Sequence, residues 1–597
     1  MNNSMLLNGF LLFSFSAAIT WLVRSASYRF GFVSLPREER WHKKPTALLG
    51  GVAIFVAFLT GYLLLIPQDS QNLLLVGCAG AMFLLGVSDD LRSIKPQSKL
   101  VTQIVVSVAL VYFGPVLPYF DSQLINFLIT LLWLIGITNA MNLLDNMDGL
   151  CAGVAIIASF YRLVFCSLEG HVEGVMLALV FMMAVAGFLV FNFNPASIFM
   201  GDSGSLFIGF MLAGMNVTPG HIYAKSILSV LLFPVLILII PIFDTALVSM
   251  VRKFSGRPIS VGGKDHSSHR LVAVGLSERS AVLILYGISV ASGAVAYILY
   301  QQGFSYTLFF ISLFAIGMAL FGVYLSKIRV YEEDEIANPD PKDMFRLVAD
   351  FKYKRQMLLV FLDVFLVITA YYGAYSLRFE GIAPGGLYFQ LFLQSFPIVL
   401  VLSIVSFFAF GLYRYDWDWR YTGIRDLWVM IKGISVATAA AVLAVTYLYR
   451  FEGYSRSVFL IYWGTLLILM AGTRLSFRML TELLAVRPDR HKKVLIYGAG
   501  DGGELLLREF KNNHGRETVV VGFLDDDPRR VKSSIHGVPV LGNSQTAEFW
   551  IRKHLVSEII VSSTKIPSSK VVELQQICSR FEVGLLRAYM KFEKAIS

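Results

Sequence analysis

Four clusters of polar and ionisable residues interrupt the otherwise apolar first half of the chain. They are Ser88-Asp89-Asp90, Asn139 to Gly149, Phe199 to Ser205, and Asp265 to Arg270. Ionisable groups at membrane depth are costly, so such clusters call for a chemical explanation. Carboxylate and amide oxygens suit Mg²⁺, whereas histidine and arginine side chains suit a diphosphate. If the clusters meet in space, they predict metal-assisted phosphoryl transfer.

The composition around these clusters is that of a polytopic α-helical membrane protein. Of the 597 residues, 56% are hydrophobic and only 15% are charged, and the mean hydropathy is +0.64. The apolar residues form blocks of about 18 to 25 residues, the length that a helix needs to cross a bilayer. We predict about eleven transmembrane helices in the first half of the chain and four in the second. Their centres lie near Phe15, Phe58, Phe83, Ser107, Leu132, Ala158, Met183, Met211, Ile237, Ser289, Phe314, Val367, Val399, Ala439 and Leu467.

Targeting and redox signals do not change this class. The block from Leu6 to Val23 has its basic residues after it, the reverse of a signal peptide, and is predicted to be a retained span. The four cysteines form no CxxC pair, so neither a zinc site nor a disulfide framework is implied. The formal charge of +10 suits cytoplasmic loops that face anionic lipid, and we expect no nucleic-acid partner.

Basic residues predict which loops face the cytoplasm. They crowd the loop between the first and second predicted spans and the loop between the ninth and tenth. The loops of opposite parity carry almost none. The positive-inside rule therefore places the N-terminus outside and the C-terminal domain in the cytoplasm. We expect the chain in the inner (cytoplasmic) membrane of a bacterium. All four polar clusters then lie on the cytoplasmic face.

Each cluster also has a purely structural alternative. An Asp89-Asp90 pair at a helix end can simply be solvated, and the turn at Asp202 can feed a helix N-cap. Asn142 can likewise cap a helix, and the loop with His269 can anchor the protein at the membrane surface. Because parity places all four clusters on one face, we favour a common site. We choose Asp202 and Asn142 as its Mg²⁺ ligands.

The first 328 residues resemble the polyprenyl-phosphate N-acetylhexosamine-1-phosphate transferases, of the glycosyltransferase family 4 type. The Asp-Asp pair, the NAMNLLDNMDG stretch from Asn139, the FMGDSGS stretch from Phe199 and the DHSSHR loop occur in the family's order. The HKKPTALLGG stretch that ends at Gly51 also resembles an early motif of the family. The DHSSHR loop departs from the pattern. Two serines separate His266 from His269, where several relatives have adjacent or closely spaced histidines.

This resemblance implies that a sugar 1-phosphate passes from a UDP-sugar to undecaprenyl phosphate and that UMP is released. The product would begin a lipid-linked cell-surface glycan, such as lipopolysaccharide O-antigen or a cell-wall polymer. Mg²⁺ is the implied cofactor, with Mn²⁺ as the alternative. N-acetylglucosamine, N-acetylgalactosamine and 6-deoxy N-acetyl sugars all stay open as the transferred sugar. We favour direct attack of the lipid phosphate on the donor's β-phosphorus, with an aspartyl-phosphate intermediate as the alternative.

The resemblance also implies roles for particular residues. Asp202 and Asn142 match the positions that hold Mg²⁺, and Phe199 matches the aromatic residue that packs against uracil. Asp89 and Asp90 match positions where the lipid phosphate enters, and Asp90 or its neighbour would orient or deprotonate it. The implied catalytic residues are Asp89, Asp90 and Asp202. The implied substrate-binding residues are Lys44, Asp145, Asn146, Asp148, Phe199, His266, His269 and Arg270.

A second unit follows a charged linker over residues 329–355. We predict a four-helix membrane module over 356–480 and a Rossmann-like nucleotide-binding domain over 490–597. A short apolar strand leads into a GxGxxG loop, and a second strand ends at an acidic residue. A Rossmann-like domain that binds no nucleotide is the alternative. The predicted residues for a nucleotide or NAD(P) are Gly498, Gly500, Gly503 and Asp525.

From about Arg355 the chain resembles the N-terminal part of membrane-bound nucleotide-sugar dehydratases and epimerases. The same module also precedes the catalytic part of some lipid-linked sugar phosphate transferases. No Tyr-x-x-x-Lys dyad follows Gly498, so we expect an accessory module that senses a nucleotide or docks a partner enzyme. A homodimer is a further association left open. The alternatives for the whole chain are a transporter or flippase of lipid-linked sugars and a nucleotide-sugar-modifying enzyme that acts through the C-terminal half.

Overall fold

The computed structural model describes the greater part of the chain, in two compact units, Met1–Leu484 and Ala485–Ser597. The described residues are 3–34, 45–67, 70–117, 120–217, 227–254, 263, 265–302, 304–326, 328, 341–382, 385–413, 424–483, 492–510, 518–531, 533–563, 566–581 and 583–588.

The first unit begins with thirteen described helices and one small antiparallel sheet. In that sheet, β1 (Val33–Ser34) pairs with β2 (Thr46–Ala47). The helices are α1 (Asn3–Phe30), α2 (Gly50–Leu65), α3 (Ser70–Arg92), α4 (Pro96–Phe113), α5 (Gln123–Leu144), α6 (Leu150–Leu168), α7 (Val172–Asn192), α8 (Gly201–Met215), α9 (Ile227–Ile237), α10 (Ile239–Phe254), α11 (Ser267–Ala273), α12 (Glu278–Gln302) and α13 (Phe304–Ser326).

Four further helices complete the first unit. They are α14 (Pro341–Arg378), α15 (Leu387–Ala409), α16 (Ile424–Tyr449) and α17 (Arg456–Leu483). Their core mixes aliphatic side chains with many Tyr and Phe rings. A bidentate ion pair between Asp363 and Arg474 joins α14 to α17, with both N···O distances at 2.7 Å. Residues 341–355, assigned above to a charged linker, form the first turns of α14.

The helices establish a polytopic membrane protein, as the composition predicted. Among the described residues, 12 helices are long and apolar enough to cross a bilayer. The ninth predicted span, centred near Ile237, is divided into α9 and α10 at Leu238. Pro241 causes this break, because it lacks the N–H group that would bond to the carbonyl of Ile237. The full count of fifteen spans stays a prediction.

Helix α8 is the most enclosed element of the bundle, and every residue from Ser203 to Met215 is buried. Glycines bring its neighbours unusually close. A Cβ atom at Gly51 of α2 would lie 2.2 Å from the backbone N of Gly204, and one at Gly86 of α3 would lie 2.3 Å from the carbonyl O of Asp202. Small residues allow such close packing between membrane helices. The first turn of α8 is therefore held directly against α2 and α3.

The second unit is an α/β sheet of six strands. The strands are β3 (Lys492–Tyr497), β4 (Thr518–Leu524), β5 (Ser534–Ile535), β6 (Val538–Gly542), β7 (Glu558–Val561) and β8 (Gly584–Arg587), in the order β5-β6-β4-β3-β7-β8. All neighbours are parallel except β5 and β6. The helices are α18 (Asp501–Glu509), α19 (Ala547–His554) and α20 (Ser568–Arg580). The two strands predicted around the glycine loop are β3 and β4.

The close approach of α3 to α8 predicts that Gly86→Ala is destabilising. Its new methyl group would press on backbone atoms of α8, and overpacking of this kind costs about 1–3 kcal/mol. Thermal unfolding of the detergent-solubilised protein should show a lowered midpoint. The matched control is Gly77→Ala in the same helix, because a Cβ at Gly77 meets nothing within 4 Å. Equal midpoints for the two variants would contradict the packing described here.

Candidate active site

The N-terminus of α8 is the centre of the candidate site. Asp90, near the end of α3, accepts hydrogen bonds from the backbone N–H groups of Asp202 (2.8 Å) and Ser203 (3.0 Å). The first N–H groups of a helix have no partner within the helix, so Asp90 caps α8 from another helix. Gly201 has a φ of +73°, and a Cβ there would lie 2.7 Å from Asp90 Oδ2. Glycine is therefore required at this turn.

A lysine that the sequence analysis did not single out joins two of the predicted catalytic carboxylates. The Nζ atom of Lys99, in the first turn of α4, lies 3.0 Å from Asp89 Oδ2 and forms a second ion pair with Asp202 Oδ2. The backbone N–H of Ile94 donates to the other oxygen of Asp89 at 2.6 Å. Only 15% of the Lys99 side chain is exposed. Lys99 thus compensates the negative charge of two partly buried carboxylates.

The predicted ligand Asn142 reaches the same place from α5. Its Nδ2 donates to Asp202 Oδ1 at 2.7 Å and to the hydroxyl of Ser205 at 2.8 Å. Both hydrogen atoms of the amide nitrogen are used in this way. The amide oxygen Oδ1 is therefore the atom of Asn142 that is left to coordinate a cation. The structure brings together residues from three of the four predicted clusters around Asp202.

The site carries an excess of negative charge. Burial, and then the charges of nearby aspartates, chiefly Asp202 and Asp90, raise the pKa of Asp145 to about 8. Asp145 follows the last residue of α5, at the end of the helix that carries Asn142. A cation bound among these side chains would relieve this repulsion. The electrostatics of the described residues therefore favour a positively charged or metal-bound ligand.

The donor set fits a magnesium ion that is shared with a substrate. Among the described residues, no three His, Cys, Asp or Glu side chains are grouped so that they could hold a metal ion alone. Mg²⁺ commonly takes one or two carboxylates, keeps several waters and completes its shell with substrate phosphates. Asp202 and the amide oxygen of Asn142 provide such a partial, all-oxygen set.

The connection between α7 and α8 carries Phe199 and is held from two sides. Asp148 accepts from the backbone N–H of Ala196 at 2.8 Å and from the side chain of Asn194 at 3.4 Å. On the other side, Phe199 N donates to Ala47 O at 2.8 Å. Asp148, predicted to bind substrate, therefore positions the connection that carries Phe199. Lys44, predicted from the motif that precedes α2, lies outside the described residues.

The fourth cluster joins the others through a hydrogen bond between α11 and the turn after α5. Ser268 Oγ donates to Asn146 Oδ1 at 2.6 Å. His269 lies in the first turn of α11, with its ring centroid 6.1 Å from that of His266. Nδ1 of His266 contacts a carboxylate of α10, Asp244, at 2.7 Å. The sequence analysis missed Asp244, although an acidic residue within an apolar block is a signal of the same kind as the four clusters.

Arg270, predicted to bind a diphosphate, directs its Nε and Nη1 atoms at the protein backbone. Its Nε atom donates to Asp265 O at 2.8 Å, and Nη1 donates to the carbonyls of Leu325 (2.9 Å) and Ile328 (2.8 Å). The residue is 3% exposed. In this geometry Arg270 fastens α11 to the end of α13.

The glycine loop of the second unit has the predicted strand, turn and helix, with one difference in detail. A Cβ at Gly503 would lie 2.1 Å from the carbonyl O of Gly498, so close packing requires glycine. Asp525, predicted to reach a ribose, instead accepts from the backbone N–H of Ala499 at 2.7 Å. Arg530 Nη1 lies 3.4 Å from Asp525 and would lie 3.1 Å from a Cβ at Gly500. A guanidinium group therefore lies beside the loop.

Comparisons with known proteins match the two halves of the chain to different families. The model of glycosyl transferase family 4 matches residues 72–220, and the model of a CoA-binding domain matches residues 409–590. A probable undecaprenyl-phosphate N-acetylglucosaminyl 1-phosphate transferase of Bacillus subtilis is 33% identical over 313 residues, 51% of this chain and 87% of that protein. A decaprenyl-phosphate N-acetylglucosaminephosphotransferase of Mycolicibacterium smegmatis is 32% identical over 324 residues, 48% of this chain and 80% of that protein.

The second half has relatives of another kind. The probable polysaccharide biosynthesis protein EpsC of Bacillus subtilis is 27% identical over 237 residues, 38% of this chain and 37% of that protein. The capsular polysaccharide biosynthesis protein CapD of Staphylococcus aureus is 25% identical over 237 residues, 39% of this chain and 38% of that protein. The matched segment thus spans little more than a third of each of these proteins. The predicted fusion of two modules is confirmed.

These findings define an integral membrane enzyme of the transferase class. The chain belongs to glycosyl transferase family 4, because it is similar to the Bacillus subtilis transferase over 87% of that protein's length.

The cap that Asp90 provides to α8 predicts a loss of stability in Asp90→Ala. Two backbone N–H groups would lose their acceptor, at a cost of about 1–3 kcal/mol if they stay enclosed. The measurement is the thermal midpoint in detergent. Asp121→Ala, at an exposed aspartate just before α5, is the control and should leave the midpoint unchanged. An Asp90→Ala protein as stable as the control would mean that α8 does not need this cap.

Proposed function

We propose that the chain transfers an N-acetylhexosamine 1-phosphate from a UDP-sugar to undecaprenyl phosphate, with Mg²⁺ as cofactor and UMP as the second product. One observation carries the proposal. The carboxylates of Asp89 and Asp202, the amide of Asn142 and the ammonium group of Lys99 meet at one enclosed helix N-terminus. The relatives of the first half are named as polyprenyl-phosphate transferases of N-acetylglucosamine 1-phosphate, which makes that sugar the first donor to test.

The reaction exchanges one phosphoanhydride for another. An oxygen of the lipid phosphate bonds to the β-phosphorus of the donor, and the bond from that phosphorus to the bridging oxygen breaks. The electron pair leaves with UMP. A phosphomonoester is largely ionised near neutral pH, so little help from a general base is required. Positioning and charge neutralisation should supply most of the rate enhancement.

The residues around α8 would have different roles in this reaction. Asp202 and Asn142 would hold Mg²⁺, which when bound neutralises charge on the donor diphosphate. Lys99 supplies a second positive charge between Asp89 and Asp202, suited to the phosphate of the lipid acceptor. Asp90 keeps the helix end in place through its two backbone hydrogen bonds. On the nucleotide side, Phe199 would pack against uracil, and Asp148 would hold the connection that carries it.

The ion pairs favour direct displacement over an aspartyl-phosphate intermediate. Both Asp89 and Asp202 have an oxygen committed to Lys99, and Asp202 also accepts from Asn142. A carboxylate whose lone pairs are engaged by a cation is a poorer nucleophile than a free one. The charged groups also cluster at helix ends, whereas a transporter is expected to place them near the bilayer midplane. This supports a reaction at a membrane surface, and the positive-inside rule favours the cytoplasmic one.

For the second unit we propose an accessory, Rossmann-like domain that binds a nucleotide. The loop from Gly498 to Gly500 leads into α18, whose first turn contains Gly503, and a helix start with free N–H groups favours phosphate. The side chain of Asp525 is occupied by the loop, whereas Arg530 lies beside Gly500. In dinucleotide sites, an arginine at this place accommodates an additional phosphate group. This favours ligands such as NADP⁺ or coenzyme A over NAD⁺.

The proposed reaction predicts Mg²⁺-dependent transfer of label from UDP-N-acetylglucosamine carrying ³²P in the β-phosphate to undecaprenyl phosphate. The purified chain should label the lipid, and EDTA should abolish the labelling. Asp202→Asn should lower the rate by about 100-fold or more, because it removes the charged ligand that would hold Mg²⁺ against the donor diphosphate. Asp121→Asn is the control with wild-type rate. No lipid product with any UDP-N-acetylhexosamine would contradict the proposal.

The proposed nucleotide site predicts that Gly500→Val weakens binding of NADP⁺ or coenzyme A to the full chain by about tenfold or more. The valine side chain would fill the surface on which a diphosphate lies. Equilibrium binding of the two labelled ligands provides the measurement. Gln576→Val, exposed on α20, is the control variant. If the wild-type chain binds neither ligand, the domain is not a site for them.

A further inference from the structure

Asp244 of α10 and His266, just before α11, form a buried pair outside the cluster at α8. Oδ2 of Asp244 lies 2.7 Å from His266 Nδ1, and Oδ1 accepts from the backbone N–H of Ser267 at 2.6 Å. Asp244 is 1% exposed and His266 is 6% exposed. Both oxygens of the carboxylate are therefore directed at one short segment of chain.

This geometry determines where the imidazole carries its proton. An ionised carboxylate can only accept hydrogen bonds, so Nδ1 of His266 must be the protonated nitrogen. Nε2, at the opposite edge of the ring, forms no hydrogen bond with a described residue. The hydrogen bond at Nδ1 fixes the tautomer and the orientation of the ring, so Nε2 points in a fixed direction. Such a ring loses little freedom when it binds a substrate oxygen.

The pair is also tied to the proposed active site. Two residues after His266, Ser268 donates to Asn146 at 2.6 Å, and Asn146 lies in the turn that follows α5, the helix that carries Asn142. A separate ion pair, Arg252 Nε to Asp265 Oδ2 at 2.7 Å, fixes the residue before His266. These two contacts hold the residues on either side of His266 without Asp244. The carboxylate of Asp244 is therefore not needed merely to fix the backbone of this segment.

We propose that Asp244 is a positioning residue that keeps Nδ1 of His266 protonated and directs Nε2 toward the donor diphosphate. This inference rests on the proposed transferase function. Asp244 does not touch substrate in this account. It acts through His266, as carboxylates behind metal-bound histidines act through the ring that they orient.

A double-mutant cycle separates positioning from a merely structural role. His266→Asn keeps a side-chain N–H that can reach Asp244 but removes Nε2, so it should fold and lose activity. Asp244→Asn should lower kcat/KM for the UDP-sugar by about 10- to 100-fold, the usual effect of removing such an orienting carboxylate. In the His266→Asn background, Asp244→Asn should cause no further loss, because the atom that it positions is already absent.

Asp363→Asn is the matched control, since Asp363 is a buried aspartate in an ion pair of the four-helix module. Any loss of kcat/KM that Asp363→Asn causes should be equal in the wild-type and His266→Asn backgrounds. An effect of Asp244→Asn that persists in full beside His266→Asn would overturn the proposal.

If Asp244→Asn does not yield folded protein, Asp244→Glu, which keeps the carboxylate, takes its place in the cycle. A wild-type chain without transfer would refute the proposed function itself, whereas an active chain with additive losses would refute only this inference.

Discussion

The close packing of α8 against its neighbours is the constraint on which the rest of the site depends. Gly51 and Gly86 let α2 and α3 approach its first turn at distances that no side chain would allow. Because α3 comes so close, Asp90 can cap α8 and Asp89 can share a lysine with Asp202. The position of the charged groups is therefore a consequence of backbone packing in an apolar bundle, where small residues substitute for a hydrophobic driving force.

Charge balance is the second requirement. Carboxylates enclosed at the end of a membrane bundle are costly unless they are paired. Lys99 pairs two of them, but burial and the charges of Asp202 and Asp90 still raise the pKa of Asp145 to about 8. A divalent cation and an anionic substrate bound together would complete the balance. The same uncompensated negative charge makes the site suited to bind a metal ion together with a phosphate.

Much of this organisation could be predicted from the sequence because its signals are local. Apolar blocks indicate spans, and polar residues that interrupt them indicate the site. Lys99 escaped notice because a lysine near the start of a span is also a common surface anchor. Asp244 was missed because its histidine is 22 residues away, a separation that only the fold removes. For Arg270 and Asp525, residue type suggests ligand contacts, and the structure adds backbone contacts that the sequence does not reveal. The ligand contacts of both residues stay a prediction.

The central claim is that one cluster, joined by Lys99 at the start of α8, performs the transfer. The most direct measurement is kcat/KM for lipid labelling by Lys99→Met compared with Lys95→Met, an exposed lysine that also precedes the membrane part of α4. The account predicts a loss of at least about tenfold for Lys99→Met, since removing one partner of an enclosed charge pair costs about 2 kcal/mol or more. Lys95→Met should keep the wild-type value. Equal activity of the two variants would contradict the account.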